Sequence, residues 1–357
     1  MFFQPWQLYL IITALSNPRL LSYRVLIFAP EQVYWECQSA TWCEEAFWES
    51  PNFPALYRHS LGSDIQYRLP LGSHQNGSDF TKLFRRLVQS YSSLCLSLQS
   101  DKLNAFQGIL RILETGFNEP FFWAIPLSFL ESALSWTDTP GMRRNNATHI
   151  LKQKGGNIVV TPFPSWSWIG WTGQNGVGEA GGAWRKEDHV LRFYHIDEEG
   201  NIQELISQKR DQALLNKSFP SWVDSTKTVI TANDIPTHII GTTVAPALLC
   251  FWSSACHAEI HFQRFGFAQI RQGNIAFSIL HHRISEHSHY LAQPWHTVIE
   301  PADFVVIRRS VGDDARGILD LLRLKWNAGV AYRSGLFHIM EEEWETLDTI
   351  WRPIVLG

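Results

Sequence analysis

Two stripes of apolar residues at helical spacing lie between residues 83 and 113, and each predicts an amphipathic helix. A Ser78 or Asp79 N-cap precedes the first stripe, and Ser100 or Asp101 precedes the second. A third helix is predicted over residues 121–136, with an interruption at Pro126. The two stripes consist of Leu83, Phe84, Leu87, Val88 and Tyr91, and of Leu103, Phe106, Leu110 and Leu113.

Two strands are predicted ahead of these helices, over residues 25–28 and 32–37, joined by a turn at Pro30. Residues 50–80 contain Pro, Gly, Ser and Asn without periodicity, which is typical of a long surface loop. We therefore predict that residues 19–157 form a strand pair followed by a mainly helical region.

The pattern changes after residue 157, where short β-rich runs alternate with turns. Their regular spacing predicts an antiparallel sheet assembly or open barrel over residues 158–357. Residues 341–351 predict a closing helix, because three glutamates occupy its first turn, where the helix dipole favours them. The predicted fold class is α+β, with a mainly helical N-terminal half followed by a β-rich C-terminal half. The β-rich runs are residues 190–196, 228–231, 238–244, 258–265, 276–284, 304–308, 318–325 and 329–339.

Three tryptophans within six positions form the most distinctive local pattern. Trp166 and Trp168 alternate with Ser165 and Ser167, so a strand would place both indoles on one face and both hydroxyls on the other. Gly170 then gives the chain room to bend, and Trp171 follows it. Each buried indole removes roughly 150–250 Å² from water, so the motif predicts a folding anchor rather than a reactive site.

Composition indicates a globular protein with a large core. The chain has 357 residues, of which 45% are hydrophobic and 18% charged, and its length suggests two domains at about 150 residues each. A net charge of −4 argues against a nucleic-acid surface or a basic membrane anchor. Five scattered cysteines are typical of reduced thiols rather than of a disulfide framework. The apolar run at residues 8–15 is too short for a helix that spans a membrane. Together these features predict a cytoplasmic protein.

The best metal-like group is Cys250, Cys256, His257 and His261. Zinc sites usually need paired ligands at C-x2–4-C and H-x3–5-H spacings, whereas these cysteines are six residues apart. A strand would also point the neighbours Cys256 and His257 to opposite faces. We therefore favour core and surface roles over a zinc site.

Other ionisable or nucleophilic groups give weaker patterns still. A histidine cluster fits a solvated loop at least as well as a titrating site. Ser165 and Ser167 lack the G-x-S-x-G elbow of a nucleophilic serine, and adjacent carboxylates are typical of solvated charge. We therefore predict no catalytic, cofactor-binding or metal-binding residue and no enzymatic activity. The cluster is His281, His282, His287 and His289, and the carboxylates are Glu44, Glu45, Asp313, Asp314, Glu341, Glu342 and Glu343.

Several segments in order resemble the fungal heterokaryon incompatibility (HET-domain) proteins. The tryptophan motif and the Asp-x-Leu-Asn-Ala-Phe-x-Gly-Ile segment, residues 101–109, are the most specific pieces. The resemblance begins at about residue 19, and residues 1–18 look unrelated to the family. The matching segments are residues 19–28, 31–37, 87–92, 101–110, 163–171 and 329–333, with Trp344 and Trp351.

The HET domain core itself is missing from the resemblance. Family members carry Ala-Leu-Ser-Tyr-Cys-Trp-Gly-like, Trp-Ile-Asp-like and Arg-Gly-Trp-Thr-Phe-Gln-Glu-like blocks, and this sequence has none of them. The resemblance therefore implies a truncated member: the C-terminal companion region of a protein for non-self recognition and programmed cell death. Its implied partner is an HET domain, or another protein, in cis or in trans.

Three functional hypotheses follow. The leading one is a non-enzymatic regulatory or recognition region, and the others are an enzyme, such as an NAD-cleaving hydrolase related to the missing TIR-like domain, and a carbohydrate-binding module. Without the HET core, the predicted strands 25–28 and 32–37 would leave apolar faces uncovered, which predicts self-association. Those faces carry Val25, Ile27, Val33 and Trp35.

Overall fold

Antiparallel strands account for most of the regular structure in a computed structural model of the chain. The structure describes residues 24–28, 33–37, 41–43, 77–92, 94, 96–138, 142–152, 158–173, 175–176, 190–197, 199–205, 219–262, 267–281, 299–311 and 316–357. The helices are α1 (Gly77–Ser92), α2 (Lys102–Phe117), α3 (Leu130–Leu134) and α4 (Glu341–Trp344). The strands are β1 (Arg24–Phe28), β2 (Val33–Cys37), β3 (Thr41–Cys43), β4 (Phe121–Phe122), β5 (Ile125–Pro126), β6 (Thr137–Asp138), β7 (Arg143–Arg144), β8 (Thr148–Lys152), β9 (Ile158–Pro162), β10 (Trp171–Thr172), β11 (Asn175–Gly176), β12 (Tyr194–Ile196), β13 (Ile202–Glu204), β14 (Leu249–Phe262), β15 (Phe267–Gln272), β16 (Ile275–His281), β17 (Ile299–Val311), β18 (Gly317–Asn327), β19 (Val330–Met340) and β20 (Thr349–Leu356).

The chain divides into two compact units. One comprises residues 1–84 and 94–119, and the other comprises residues 85–93 and 120–357. The predicted domain boundaries at residues 18 and 157 stay predictions.

The first unit contains the antiparallel sheet β1–β2–β3 and the helix α2. Strands β1 and β2 fall on the predicted strand pair. Helix α2 follows the second apolar stripe and ends where Asn118 adopts a left-handed φ of 52°, a conformation that asparagine tolerates. Phe80 packs against Phe84 and Phe117 with ring centroids 6.0 and 5.1 Å away. The side chains of β1 and β2, and with them the predicted uncovered faces, lie outside the described residues.

The second unit is built around a closed ring of six antiparallel strands. Pairing runs β14–β15–β16–β19–β18–β17 and returns from β17 to β14. Alternate residues point inward along each strand, such as Ala258 and Ile260 on β14 and Phe304 and Val306 on β17. Trp344 joins this core from α4. The N-terminal half of β14 continues beyond the ring and pairs with β20 and β12.

The predicted fold class is wrong in its helical half and in its closing helix. Two helices, α1 and α2, follow their predicted stripes, but residues 121–126 form the β4–β5 hairpin and only Leu130–Leu134 are α-helical in that region. The closing helix spans only Glu341–Trp344. Residues 349–356 form β20 instead, because they pair antiparallel with β14. Of the predicted strands, residues 238–244 form turns instead, and residues 228–231 have no regular structure beyond a bend at Val229.

Candidate functional site

The tryptophan motif is a bend followed by a short 3-10 helix, so its interpretation as a strand is wrong. Residues 165–167 bend, Trp168–Gly170 form the 3-10 helix, and β10 begins at Trp171. Ser167 starts this helix, since its hydroxyl accepts a hydrogen bond from the Ile169 N–H at 3.3 Å. The serines and tryptophans therefore do not separate onto two faces of a sheet, and all of them lie inside the protein.

All three indoles of the motif are buried and hydrogen-bonded to main-chain carbonyls. Trp166 donates to Ala247 O at 3.0 Å, and Trp168 donates to Ala124 O at 3.0 Å. Trp171 donates to Ser165 O at 2.8 Å, inside the motif itself. Burial of each ring stabilises the fold by at most about 4–6 kcal/mol, and the N–H groups keep their hydrogen bonds. Trp166 and Trp168 thus join chain segments that are far apart in sequence, whereas Trp171 fixes the bend of the motif.

Two further tryptophans extend the cluster. The Trp136 indole donates to the Trp166 carbonyl at 2.8 Å, and its ring lies 5.7 Å from the Trp171 ring. The Trp123 indole donates to Pro246 O at 3.0 Å. Sequence reasoning placed both residues in a helix, and only the long-range pairing reveals their part in the cluster.

Both serine hydroxyls of the motif bond the main chain. Ser165 Oγ donates to Gly357 O and accepts the Arg333 N–H at 2.9 Å. Ser167 Oγ donates to Trp123 O at 2.6 Å. Both residues are buried, so the hydroxyls connect the motif to other segments rather than facing a substrate.

Two arginines hold main-chain carbonyls around the motif. The Arg144 guanidinium donates to Gly170 O and Phe163 O, and burial lowers the pKa of this group to about 10. Gly170 is required here, because an added Cβ would lie 2.1 Å from the Pro164 carbonyl oxygen. The Arg333 guanidinium donates to Leu134 O at 2.7 Å and to Trp136 O.

The four residues weighed as a zinc site lie along β14 in separate environments. Cys250 and Cys256 are core residues, and burial raises the pKa of each thiol to about 12. His257 is on the outside of the ring, with Nδ1 2.7 Å from Asp303 Oδ1. His261 Nε2 lies 3.3 Å from Glu259 Oε2. Within the parts of the chain that the structure describes, no three His, Cys, Asp or Glu side chains could hold a metal ion.

The remaining candidate groups from the sequence are only partly described. His281 is the last residue of β16, whereas His282, His287, His289, Glu44, Glu45, Asp313 and Asp314 lie outside the described residues. Glu341, Glu342 and Glu343 form the first turn of α4. Glu341 receives hydrogen bonds from Arg309 at 2.6 and 2.7 Å and from the Trp222 indole at 2.8 Å. Burial alone would raise the pKa of Glu341, but these hydrogen bonds lower it below the usual value. This contact ties α4 to the ring.

One buried ionic cluster was missed by sequence reasoning. Asp320 on β18 lies opposite His338 and Arg308 in the neighbouring strands, with 2.7 Å between Asp320 Oδ1 and His338 Nδ1 and 3.3 Å between Asp320 Oδ2 and Arg308 Nη1. Ser135 Oγ donates to Asp320 Oδ2 at 2.6 Å. Burial would raise the Asp320 pKa, but His338, Arg308 and Ser135 outweigh burial and lower it. A single aspartate inside the apolar run of residues 317–322 was the available sequence signal.

Comparisons with known proteins give no relative for this chain. A scan against protein-family models finds no match, and searches of curated proteins and of solved structures find none. Among the helices that the structure describes, none combines the length and apolar character needed to cross a bilayer.

Proposed function

We propose that this chain is a non-enzymatic recognition or regulatory region that resembles the C-terminal part of the HET-domain proteins. It acts by binding a protein partner, and its partner is an HET domain in cis or in trans. The tryptophan motif is the scaffold that holds this region in shape.

The observation that carries the proposal is the hydrogen bonding of the motif. Each indole of Trp166, Trp168 and Trp171 donates to a main-chain carbonyl, and so do the hydroxyls of Ser165 and Ser167. A motif used in this way supports a fold rather than a reaction. The buried rings also favour recognition of a protein over the carbohydrate-binding alternative, because a sugar platform needs exposed ring faces.

Co-purification tests the proposal. The full chain, carrying an affinity tag, is mixed with separately produced HET domains from the family it resembles, and we expect at least one to be retained. The comparison variant is Gly170→Ala, which disturbs the motif and should therefore retain less of the bound domain than the wild-type chain does. Retention of none by the folded wild-type chain would contradict the proposal.

Incubation with NAD separates the enzymatic alternative. We expect no nicotinamide release from the purified chain, measured against the heat-unfolded chain as the background. Nicotinamide release above that background would show that the chain is a hydrolase and would contradict the non-enzymatic role.

Light scattering at rising protein concentration tests the predicted self-association, which a monodisperse monomer would contradict.

A further inference from the structure

The hairpin β4–β5 turns through two residues that both adopt left-handed backbone conformations. Trp123 has φ 49° and Ala124 has φ 59°, and they connect the paired residues Phe122 and Ile125. A two-residue hairpin with both φ values positive is a type I′ turn, which normally uses asparagine and glycine. Tryptophan and alanine pay a steric penalty in this region, so this turn is strained and needs outside support.

The tryptophan motif supplies that support at both strained residues. Ser167 Oγ donates to Trp123 O at 2.6 Å, and the Trp168 indole donates to Ala124 O at 3.0 Å. The Trp123 indole is itself anchored on Pro246 O at 3.0 Å. Both carbonyls of the turn thus accept hydrogen bonds from Ser167 and Trp168, which are consecutive residues of the tryptophan motif.

The Trp123–Ala124 turn also supports the β8–β9 hairpin. The Trp123 ring packs edge-on against the His149 ring at 5.8 Å and the Phe163 ring at 6.2 Å, and His149 is buried on the inner face of the hairpin. On the outer face the cross-strand pair Ile150 and Val160 is 53% and 46% exposed. The hairpin is a separate two-stranded sheet, a type that is marginally stable without packing on one face.

We propose that the Trp123–Ala124 turn is a conformational latch. The tryptophan motif keeps the turn in its left-handed conformation, and the turn keeps the β8–β9 hairpin and its exposed apolar pair in order. When the motif loses its hold, the turn relaxes first and the hairpin opens locally while the six-stranded ring persists. This inference goes beyond the proposed function and does not depend on the partner's identity.

Hydrogen–deuterium exchange of the full chain, read by mass spectrometry, tests the latch. Ser167→Ala removes one hold, and Ala124→Gly makes the left-handed conformation intrinsically easy, because glycine adopts positive φ without penalty. The matched control is Ala328→Gly, since Ala328 also has a positive φ, 47°, but lies in the β18–β19 turn. Exchange is followed in β8 and β9, with β17 as the internal reference.

We expect Ser167→Ala to speed exchange in the hairpin about tenfold relative to β17, since a lost hydrogen bond to a buried carbonyl has that order of effect. Adding Ala124→Gly should recover about threefold or more, whereas adding Ala328→Gly should change the hairpin by less than about twofold. Equal rescue by both glycines, or hairpin exchange that only follows β17, would overturn the latch. If Ser167→Ala does not fold, Ala124→Gly alone decides: slower hairpin exchange than in Ala328→Gly supports the latch, and equal exchange overturns it.

Discussion

Substitution of Gly170 by alanine is the sharpest single perturbation of the tryptophan motif. The added Cβ would lie 2.1 Å from the Pro164 carbonyl oxygen and 2.3 Å from Arg144 Nη1. The first neighbour is main chain and cannot rotate away. The second is the end of a side chain that is already held by the Gly170 and Phe163 carbonyls.

The magnitude follows from these two conflicts. Forcing a methyl group into a packed site costs about 1–3 kcal/mol. Displacing the Arg144 guanidinium sacrifices at least one charge-assisted hydrogen bond, worth about 1.5–3 kcal/mol. The free energy of unfolding of the Gly170→Ala variant should therefore be lower by about 2.5–6 kcal/mol, a large part of the about 5–15 kcal/mol that is typical of a folded domain.

Urea denaturation measures the loss, with Gly241→Ala as the matched control. Gly241 has φ 77° and no atom within 4 Å of an added Cβ, so its substitution costs only the backbone penalty of about 1–2 kcal/mol. We expect a clearly lower urea midpoint for Gly170→Ala than for Gly241→Ala. Equal midpoints would show that the close approach of the chain at Gly170 does not contribute to stability.

Three further predictions follow from the buried groups. Trp168→Phe should destabilise the protein by about 2–4 kcal/mol, because it leaves the buried Ala124 carbonyl without its indole donor and opens a gap. Trp252→Phe, at a half-buried ring, should cost clearly less. Equal losses in thermal denaturation would contradict a stabilising role of the tryptophan cluster. Because the Asp320 pKa is lowered in the folded state, its contribution is present above the unfolded pKa and is lost as the pH falls through the folded value; Asp320→Asn should flatten the acid limb of a stability–pH profile, and an unchanged slope would contradict this. The buried thiols of Cys250 and Cys256 should resist iodoacetamide at about pH 8 until the chain unfolds, and prompt alkylation of either, seen by mass spectrometry, would contradict their placement.

Local periodicity predicted those elements whose shape is set by nearby residues. Helices α1 and α2 follow from apolar stripes, and most of the strands in the closed ring overlap with β-rich runs. The start of β14 at Leu249 was not predicted, because nearly all residues of its first half are buried, on both faces, and they do not alternate in polarity. The predicted helix over residues 341–351 failed after Trp344, where the pairing of β20 with β14 decides the conformation.

The centre of the tryptophan cluster depends on contacts that the sequence does not display. The turn at Trp123 and Ala124 lacks the glycine or asparagine that marks such turns, so residues 121–126 resembled a helix. Its carbonyls accept hydrogen bonds from Ser167 and Trp168, each 44 residues away in sequence, and these bonds hold its conformation. The burial of the indoles could be predicted, whereas their acceptors could not.

Exchange of the indole N–H protons is the most direct test of the claim that the motif is buried scaffolding. NMR of the full chain in D2O, with resonances assigned by single Trp→Phe substitutions, follows each indole separately. We predict that the N–H protons of Trp166, Trp168 and Trp171 persist long after that of Trp351, whose bond to Lys227 O lies at the surface. Loss of the three motif protons as early as the Trp351 proton would mean that the motif is not buried scaffolding.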